Sequence, residues 1–268
     1  MLTVENLSLT IRAQREDIPV LHSVNLSVAR GESVGIVGES GSGKSMTLRS
    51  ILRIEPASST ITGRIHLEGV DLLALNGEPL RQLRSREIAM IAQNPHAVLN
   101  PVLAVGRYLI EGMHDAQGMA TRAARVRAGE LLEQVGIEDV DRVLRSYPHQ
   151  LSGGMLQRVV IAGAIAGNPK LLLADEPTTA LDVTTQAEVM AILDDCRREL
   201  GMAMLFVTHD LDLAAAVCDR ISVMKDGVVV EDGVPDQLRD NPKHPYTREL
   251  MASRPASIAW HRTKGAAS

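Results

Sequence analysis

Gly38, Gly43, Lys44 and Ser45 stand in the spacing G-x-x-x-x-G-K-[ST], directly after the nearly all-apolar run SVGIVG at 33–38. A short buried strand that turns through glycines into a helix is the setting in which this spacing binds phosphate. With no side chains at the glycines, the backbone can curl until its N–H groups converge on phosphate oxygens, and the N-terminus of the next helix adds a favourable dipole. Lys44 then neutralises charge on β/γ-phosphates, and the Ser45 hydroxyl suits Mg²⁺. The plain alternative is a glycine-rich turn with a solvated lysine; the flanking strand and helix argue against it.

Two further groups carry chemistry. Asp175 and Glu176 follow the apolar run LLLA, at the end of a strand where open α/β sheets collect ligands. Adjacent carboxylates there divide two tasks: Asp175 reaches a metal's coordination shell, and Glu176 polarises the water that attacks the γ-phosphate. Strand-end acids paired with lysine or arginine are the common alternative, one that fits poorly beside a phosphate loop. Leu151-Ser152-Gly153-Gly154-Met155 opens an apolar helix through Val159, Ile161, Ala162 and Ile165, with Ser152 suited to cap it. That makes a second anion-binding helix terminus, so a nucleotide sandwiched between the two termini is the expectation. Standing alone, the same run reads as an ordinary glycine-preceded helix.

The elements that position these residues are legible in outline. Apolar residues alternate at Leu7, Leu9 and Ile11 and again at Val24, Leu26 and Val28, the period of a half-buried antiparallel sheet. Leu48, Ile51 and Leu52 follow the glycine loop at helical spacing. From about 95 to 166 the pattern is helical and alanine-rich, with an amphipathic helix at 123–135 stopped by Gly136. Strands return at 171–175 and 204–209 with a helix at about 185–200 between them, which indicates a parallel sheet covered on both faces. In ISVMKDGVVVEDG, Asp226 and Gly227 supply the turn of a hairpin.

Composition bounds the reading. The chain has 268 residues, 45% hydrophobic and 23% charged, ordinary for a globular protein. Aromatics make up 2%, so the core must be aliphatic. A net charge of −5 gives no general attraction to nucleic acid. Cys196 and Cys218 lack CxxC spacing, which suggests neither a disulfide framework nor a cysteine metal cluster. Polar residues enter MLTVENLSLTIR too early for a signal peptide, and no apolar run approaches the ~20 residues that span a bilayer. The expectation is a chain that stays in the cytosol and meets a membrane only through partners.

GESGSGKS, LSGGM, LLLADEP, the TTALD run at 178–182 and His209 after a strand together resemble, in order and spacing, the ATP-binding subunits of ABC transporters over nearly the whole chain. NPKHPYTREL at 241–250 is similar to the tail of the dipeptide, oligopeptide and nickel importer branch. The resemblance implies an α/β, RecA-like P-loop NTPase core with an antiparallel β subdomain and an inserted α-helical subdomain at about 95–166. The ATP-binding domain would span 1–252, with a flexible tail at 253–268. It implies ATP and Mg²⁺, the nucleotide meeting Gly38, Glu39, Ser40, Gly41, Ser42, Gly43, Lys44, Ser45 and Met46, and the metal meeting Ser45, Gln93 and Asp175. Gln93, in a stretch like the family's Q-loop, would sense metal and water and join the core to the helical subdomain. Lys44, Glu176, Gln93 and His209 would be catalytic, His209 by contacting the γ-phosphate; without the family, a strand-end histidine reads as structural. Ser152, Gly153, Gly154 and Asp182 would act across a head-to-tail dimer. The implied partners are a second, non-identical ATP-binding subunit, two transmembrane permeases and, indirectly, an extracytoplasmic solute-binding protein. The implied place is the cytoplasmic face of the cell membrane.

Two departures stand out. No aromatic occurs at 11–20, where relatives stack one on adenine, so base binding would fall to Ile11 or Arg12. Position 155 is Met where Gln is commoner, which marks one of the two ATPase types of this branch. The stretch after Tyr246 is short and lacks cysteine, which tilts the expected cargo from peptides toward nickel. DNA-repair and chromosome-structure ATPases share the motifs but carry long heptad coiled coils, for which there is no pattern here; a small-molecule kinase would leave LSGGM unexplained.

Overall fold

The computed structural model describes residues 1–13, 16–178 and 181–252. The expected flexible tail at 253–268, Thr179 and Ala180 of the TTALD run, and residues 14 and 15 of the base-binding stretch lie outside the described residues. In chain order the elements are β1 (Leu2–Arg12), β2 (Asp17–Val28), β3 (Ser33–Val37), α1 (Lys44–Leu52), β4 (Ser59–Leu67), β5 (Val70–Asp71), α2 (Gly77–Glu87), β6 (Ile88–Ile91), α3 (Pro95–Val98), α4 (Val105–Gln117), α5 (Thr121–Gln134), α6 (Val140–Arg145), a 3₁₀ turn (Pro148–Gln150), α7 (Gly153–Ile165), β7 (Leu171–Asp175), α8 (Val183–Glu199), β8 (Ala203–Thr208), α9 (Leu211–Val217), β9 (Arg220–Lys225), β10 (Val228–Gly233), α10 (Pro235–Asp240) and α11 (Pro245–Ala252). They form two compact units: Met1–Leu75 with Leu205–Ser268, and Asn76–Met204.

The first unit contains the antiparallel sheet β2-β1-β4-β5. Along β1 the buried residues are Leu2 and Val4, then Leu7 and Leu9, a switch from even to odd positions that a regular strand cannot make without turning one pair outward. The ladder slips between Val4 and Leu7. Asn6 takes up the extra residue at φ 49°, its N–H held by Asn25 Oδ1 at 2.9 Å. On the neighbouring strand Gly63 leaves room for this bulge, since a Cβ there would lie 2.6 Å from the Asn6 carbonyl oxygen.

The same unit carries strands in the order β10-β9-β3-β8, with β3 parallel to β9 and β9 antiparallel to β10. Every residue of β3 is buried, as its continuous apolar run predicts for a strand covered on both faces. The hairpin turn is the expected Asp226-Gly227 pair, at φ 47° and 77°, the left-handed geometry that such a tight turn needs. Ser33 anchors the start of β3: its N–H and hydroxyl both donate to the Asp219 carboxylate at 2.9 Å.

In the second unit β6 runs parallel to β7, and helices α3 to α7 occupy most of 95–165. The helix expected at 123–135 is α5, closed by Gly136 at φ 75°, and that expected at 185–200 is α8. The core is aliphatic, with Leu109, Met113, Leu131, Leu132, Val159 and Leu193 fully or nearly fully buried. No helix of the described residues is long and apolar enough to cross a membrane. The thiols of Cys196 and Cys218 are both buried, and neither is in a disulfide.

Candidate functional site

In the first unit the chain leaves β3 at Gly38 and re-enters regular structure at Lys44, the first residue of α1. The loop is pressed against β9 and its turn. A Cβ at Gly38 would lie 2.1 Å from the Met224 carbonyl oxygen, and one at Gly43 would meet Leu21 and Met224 side chains at 2.9 Å. Gly43 also adopts φ 102°, a conformation open to glycine and costly for other residues. The first turn of α1 holds no acidic residue and no side-chain cap, which leaves its amide dipoles for an anion.

Lys44 is 5% exposed, and its ammonium donates to the Gly38 and Glu39 carbonyl oxygens at 2.8 and 2.7 Å. Its charge is thus held over the loop by the loop's own backbone. Ser42 Oγ is buried without a protein hydrogen-bond partner; a buried hydroxyl in that condition costs stability, and a phosphate oxygen would satisfy it. Glu39 N–H donates to the Tyr246 hydroxyl at 3.0 Å. His209 is exposed between two residues that fix its loop: Thr208 Oγ1 accepts from Asp210 N–H, and the Asp210 carboxylate caps α9 through Leu213 N–H, both at 3.0 Å.

The second unit brings Gln93, Asp175 and Glu176 together through strand register. Ile91 pairs with Ala174 across the parallel β6–β7 ladder, so two residues further on Gln93 stands opposite Glu176. The Gln93 side-chain amide donates to a Glu176 carboxylate oxygen at 3.2 Å. Asp175 ends β7 and is 7% exposed. Glu176 then adopts φ 45°, a left-handed conformation rare outside glycine, asparagine and aspartate, and strain of this kind collects at functional positions.

A second cluster joins the starts of α7 and α8. Ser152 caps α7 as expected, its Oγ accepting Met155 N–H at 3.3 Å, and the first turn of that helix carries no acidic residue. Gly154 is buried against α8, where a Cβ would lie 2.6 Å from Thr185 Cγ2. Asp182 caps α8, accepting Thr185 N–H at 3.0 Å and the Thr185 hydroxyl at 2.8 Å. The bond from the Thr185 backbone, with the hydroxyl second, holds the Asp182 carboxyl below the ordinary aspartate range.

The expected residues therefore fall into groups: 38–46 with His209 in one unit, Gln93 with Asp175 and Glu176 in the other, and there also Ser152, Gly153 and Gly154 with Asp182. Tyr246 and Thr185 were not singled out by sequence reasoning. Thr185 sits three residues after a capping aspartate, a spacing that is readable; Tyr246 meets Glu39 across 207 positions, and no local pattern encodes that.

Known proteins show the family of this chain. The ABC transporter family matches residues 21–179. A putative peptide import ATP-binding protein of Brucella abortus (strain 2308) is 47% identical over 256 residues, covering 95% of this chain and 77% of the relative. The oligopeptide transport ATP-binding protein OppD of Bacillus subtilis (strain 168) is 42% identical over 257 residues, 95% of this chain and 72% of the relative. Among solved structures, the ATP-binding cassette MJ0796, in a dimeric post-hydrolysis state bound to ADP and Pi, superposes with a TM-score of 0.78 at 33% identity, over 88% of this chain and 99% of its own. With the fold of such cassettes and this likeness to ATP-binding subunits, the chain belongs to the ABC transporter family as one of its ATP-hydrolysing subunits.

Proposed function

We propose that this chain energises the import of peptides through separate permease subunits, hydrolysing ATP with the residues described above. The observation that carries the catalytic part is the Gln93–Glu176 hydrogen bond beside Asp175. It supports Glu176 as the group that polarises the attacking water and Gln93 as the residue that orients it. Lys44 and the loop amides bind and orient the triphosphate. His209, exposed after β8, suits a contact with the γ-phosphate.

Mg²⁺, when bound, neutralises charge on the β- and γ-phosphate oxygens. By the family resemblance, Ser45 of the first unit and Gln93 and Asp175 of the second would supply oxygen donors, the kind this hard cation takes. Ser152, Gly153 and Asp182, exposed at the starts of α7 and α8, form the surface offered to the nucleotide of a facing subunit, with Gly154 packed beneath them.

The names of the relatives, peptide import in Brucella and oligopeptide transport in Bacillus, support a peptide cargo over the nickel that the sequence suggested. The LSGGM type of signature, by resemblance, pairs with an LSGGQ type, so the facing ATPase is a different chain, bound with this one to two permeases on the cytoplasmic face of the membrane and served by a solute-binding protein. Nucleic acid is not a partner in this reading. The longest described helix is α8, with 17 residues, short of the several heptads of a coiled-coil arm.

The test is ATP-driven uptake in vesicles carrying the assembled transporter and its binding protein, with labelled oligopeptides and a nickel complex offered in parallel. Peptide uptake is expected. Uptake of the nickel complex alone would replace the cargo, and absence of any ATP-driven uptake would remove the import reading. Native mass spectrometry showing two copies of this chain and no other ATPase would refute the mixed pair.

A further inference from the structure

The stretch 241–250 entered the family resemblance only as a tail, yet its tyrosine is tied to the phosphate loop. Tyr246, in the first turn of α11, is 3% exposed. The Lys225 ammonium lies 4.5 Å from the centre of its ring, and its hydroxyl accepts Glu39 N–H at 3.0 Å. The entry to α11 is itself fixed, because Glu231 on β10 accepts the N–H groups of Lys243 at 2.8 Å and His244 at 2.9 Å. Burial pushes the Tyr246 phenol above its ordinary pKa, so the hydroxyl keeps its proton. Glu39 is thereby gripped on both sides: Tyr246 takes its N–H, and Lys44 donates to its carbonyl oxygen at 2.7 Å.

Resting on the reading of this loop as the nucleotide site, we infer that Tyr246 is a positioning residue: its hydroxyl fixes Glu39 so that Lys44 and the remaining loop amides are preset for a triphosphate, and through α11 the C-terminal segment sets nucleotide affinity. Glu39 N–H is committed to the tyrosine, so this amide supports the loop and does not bind phosphate. A loop without that bond must be ordered by the ligand, and the ordering cost subtracts from affinity. The chemical step is untouched, since Tyr246 meets no reacting group.

Tyr246→Phe removes one oxygen and keeps the buried ring. Titrated as the full chain with Mg²⁺ and a non-hydrolysable ATP analogue, it should bind about two- to tenfold more weakly, the cost of ordering a loop residue on binding. The kcat of the assembled transporter should stay within about twofold and the unfolding midpoint within about 2 °C. Affinity within about 1.5-fold of the parent overturns the inference, and does so equally if the midpoint falls, which is the mark of a merely structural residue. A second measurement uses the unaltered chain: the Glu39 amide proton should exchange with solvent more slowly than those of Ser40 and Gly41, and equal rates overturn the inference. Lys44→Ala separates the two layers. Binding lost in Lys44→Ala but untouched in Tyr246→Phe overturns the positioning role alone, whereas binding kept in Lys44→Ala overturns the nucleotide-site reading and this inference with it.

Discussion

The Gln93 side-chain amide lies 3.2 Å from a Glu176 carboxylate oxygen, and the two residues meet because β6 and β7 are in parallel register from Ile88 with Leu171 to Ile91 with Ala174. One residue of slippage between these strands would carry Gln93 away from Glu176. The pair is thus a product of buried strand packing, and its members can be removed one at a time.

Glu176→Gln retains size and hydrogen-bonding capacity but removes the negative charge. General-base assistance contributes about 10²–10⁴-fold, so hydrolysis should fall by roughly that factor while nucleotide affinity stays within severalfold of the parent. Single-turnover hydrolysis in the assembled transporter checks this, with the facing subunit's equivalent glutamate altered in parallel. A rate within threefold of the parent when both are changed would exclude Glu176 as the base.

Gln93→Ala should affect coupling more than binding. It leaves the phosphate loop intact, so the nucleotide dissociation constant should change by less than about threefold, whereas ATP-driven uptake in vesicles should collapse. Unchanged uptake would remove Gln93 from the mechanism.

Gly154→Ala forces a methyl to 2.6 Å from Thr185 Cγ2. Overpacking of this kind costs about 1–3 kcal/mol, enough to outweigh the better helix propensity of alanine, about 1 kcal/mol. Thr185→Ser deletes the offending methyl and keeps the hydroxyl bonded to Asp182. The double variant should therefore unfold at higher denaturant than Gly154→Ala alone. Equal midpoints for the two would mean that α7 and α8 part without cost.

Adenine discrimination should be weak. No aromatic lies at 11–20, and stacking of a base on an aromatic is worth ~1–3 kcal/mol in nucleic-acid complexes. GTP should compete measurably for the site. ATP bound at least a thousandfold more tightly than GTP would show that another residue reads the base.

Burial, reinforced by Glu199 and Asp195, pushes the Cys196 thiol up to about 11. At pH 8 about one molecule in a thousand carries the reactive thiolate. Iodoacetamide should leave Cys196 and Cys218 untouched in the folded chain and label both after unfolding, which mass spectrometry reads directly. Rapid labelling of folded protein would show that the inner face of α8 opens to solvent.

Local signals carried the phosphate loop, the Ser152 cap, the Asp226-Gly227 turn and the alternating strands of the first sheet, because each depends on residues a few positions apart. Elements without an apolar stripe were lost. In α2 only Leu80 is buried, and the first six residues of β4, interrupted by Gly63, include none that is buried. The four residues of β6 are too few for a period. Gln93 was found by resemblance, but its partner followed from the β6–β7 register, which the sequence of neither strand states alone. The Glu39–Tyr246 bond was hidden for the same reason at a far larger separation.

Ser33, at the start of the strand that carries the phosphate loop, is bonded to Asp219 across 186 positions. At about 5–20 residues per second, a ribosome needs roughly 10–40 s to travel from one to the other. For that interval the strand before Gly38 waits without β9, its parallel neighbour, while all of Asn76–Met204 is synthesised. The loop that grips phosphate is made early and completed late. A nascent chain cut short before β9 should lack nucleotide affinity, however well Asn76–Met204 has folded, and the cell gains an ATP site only once β9 has been made.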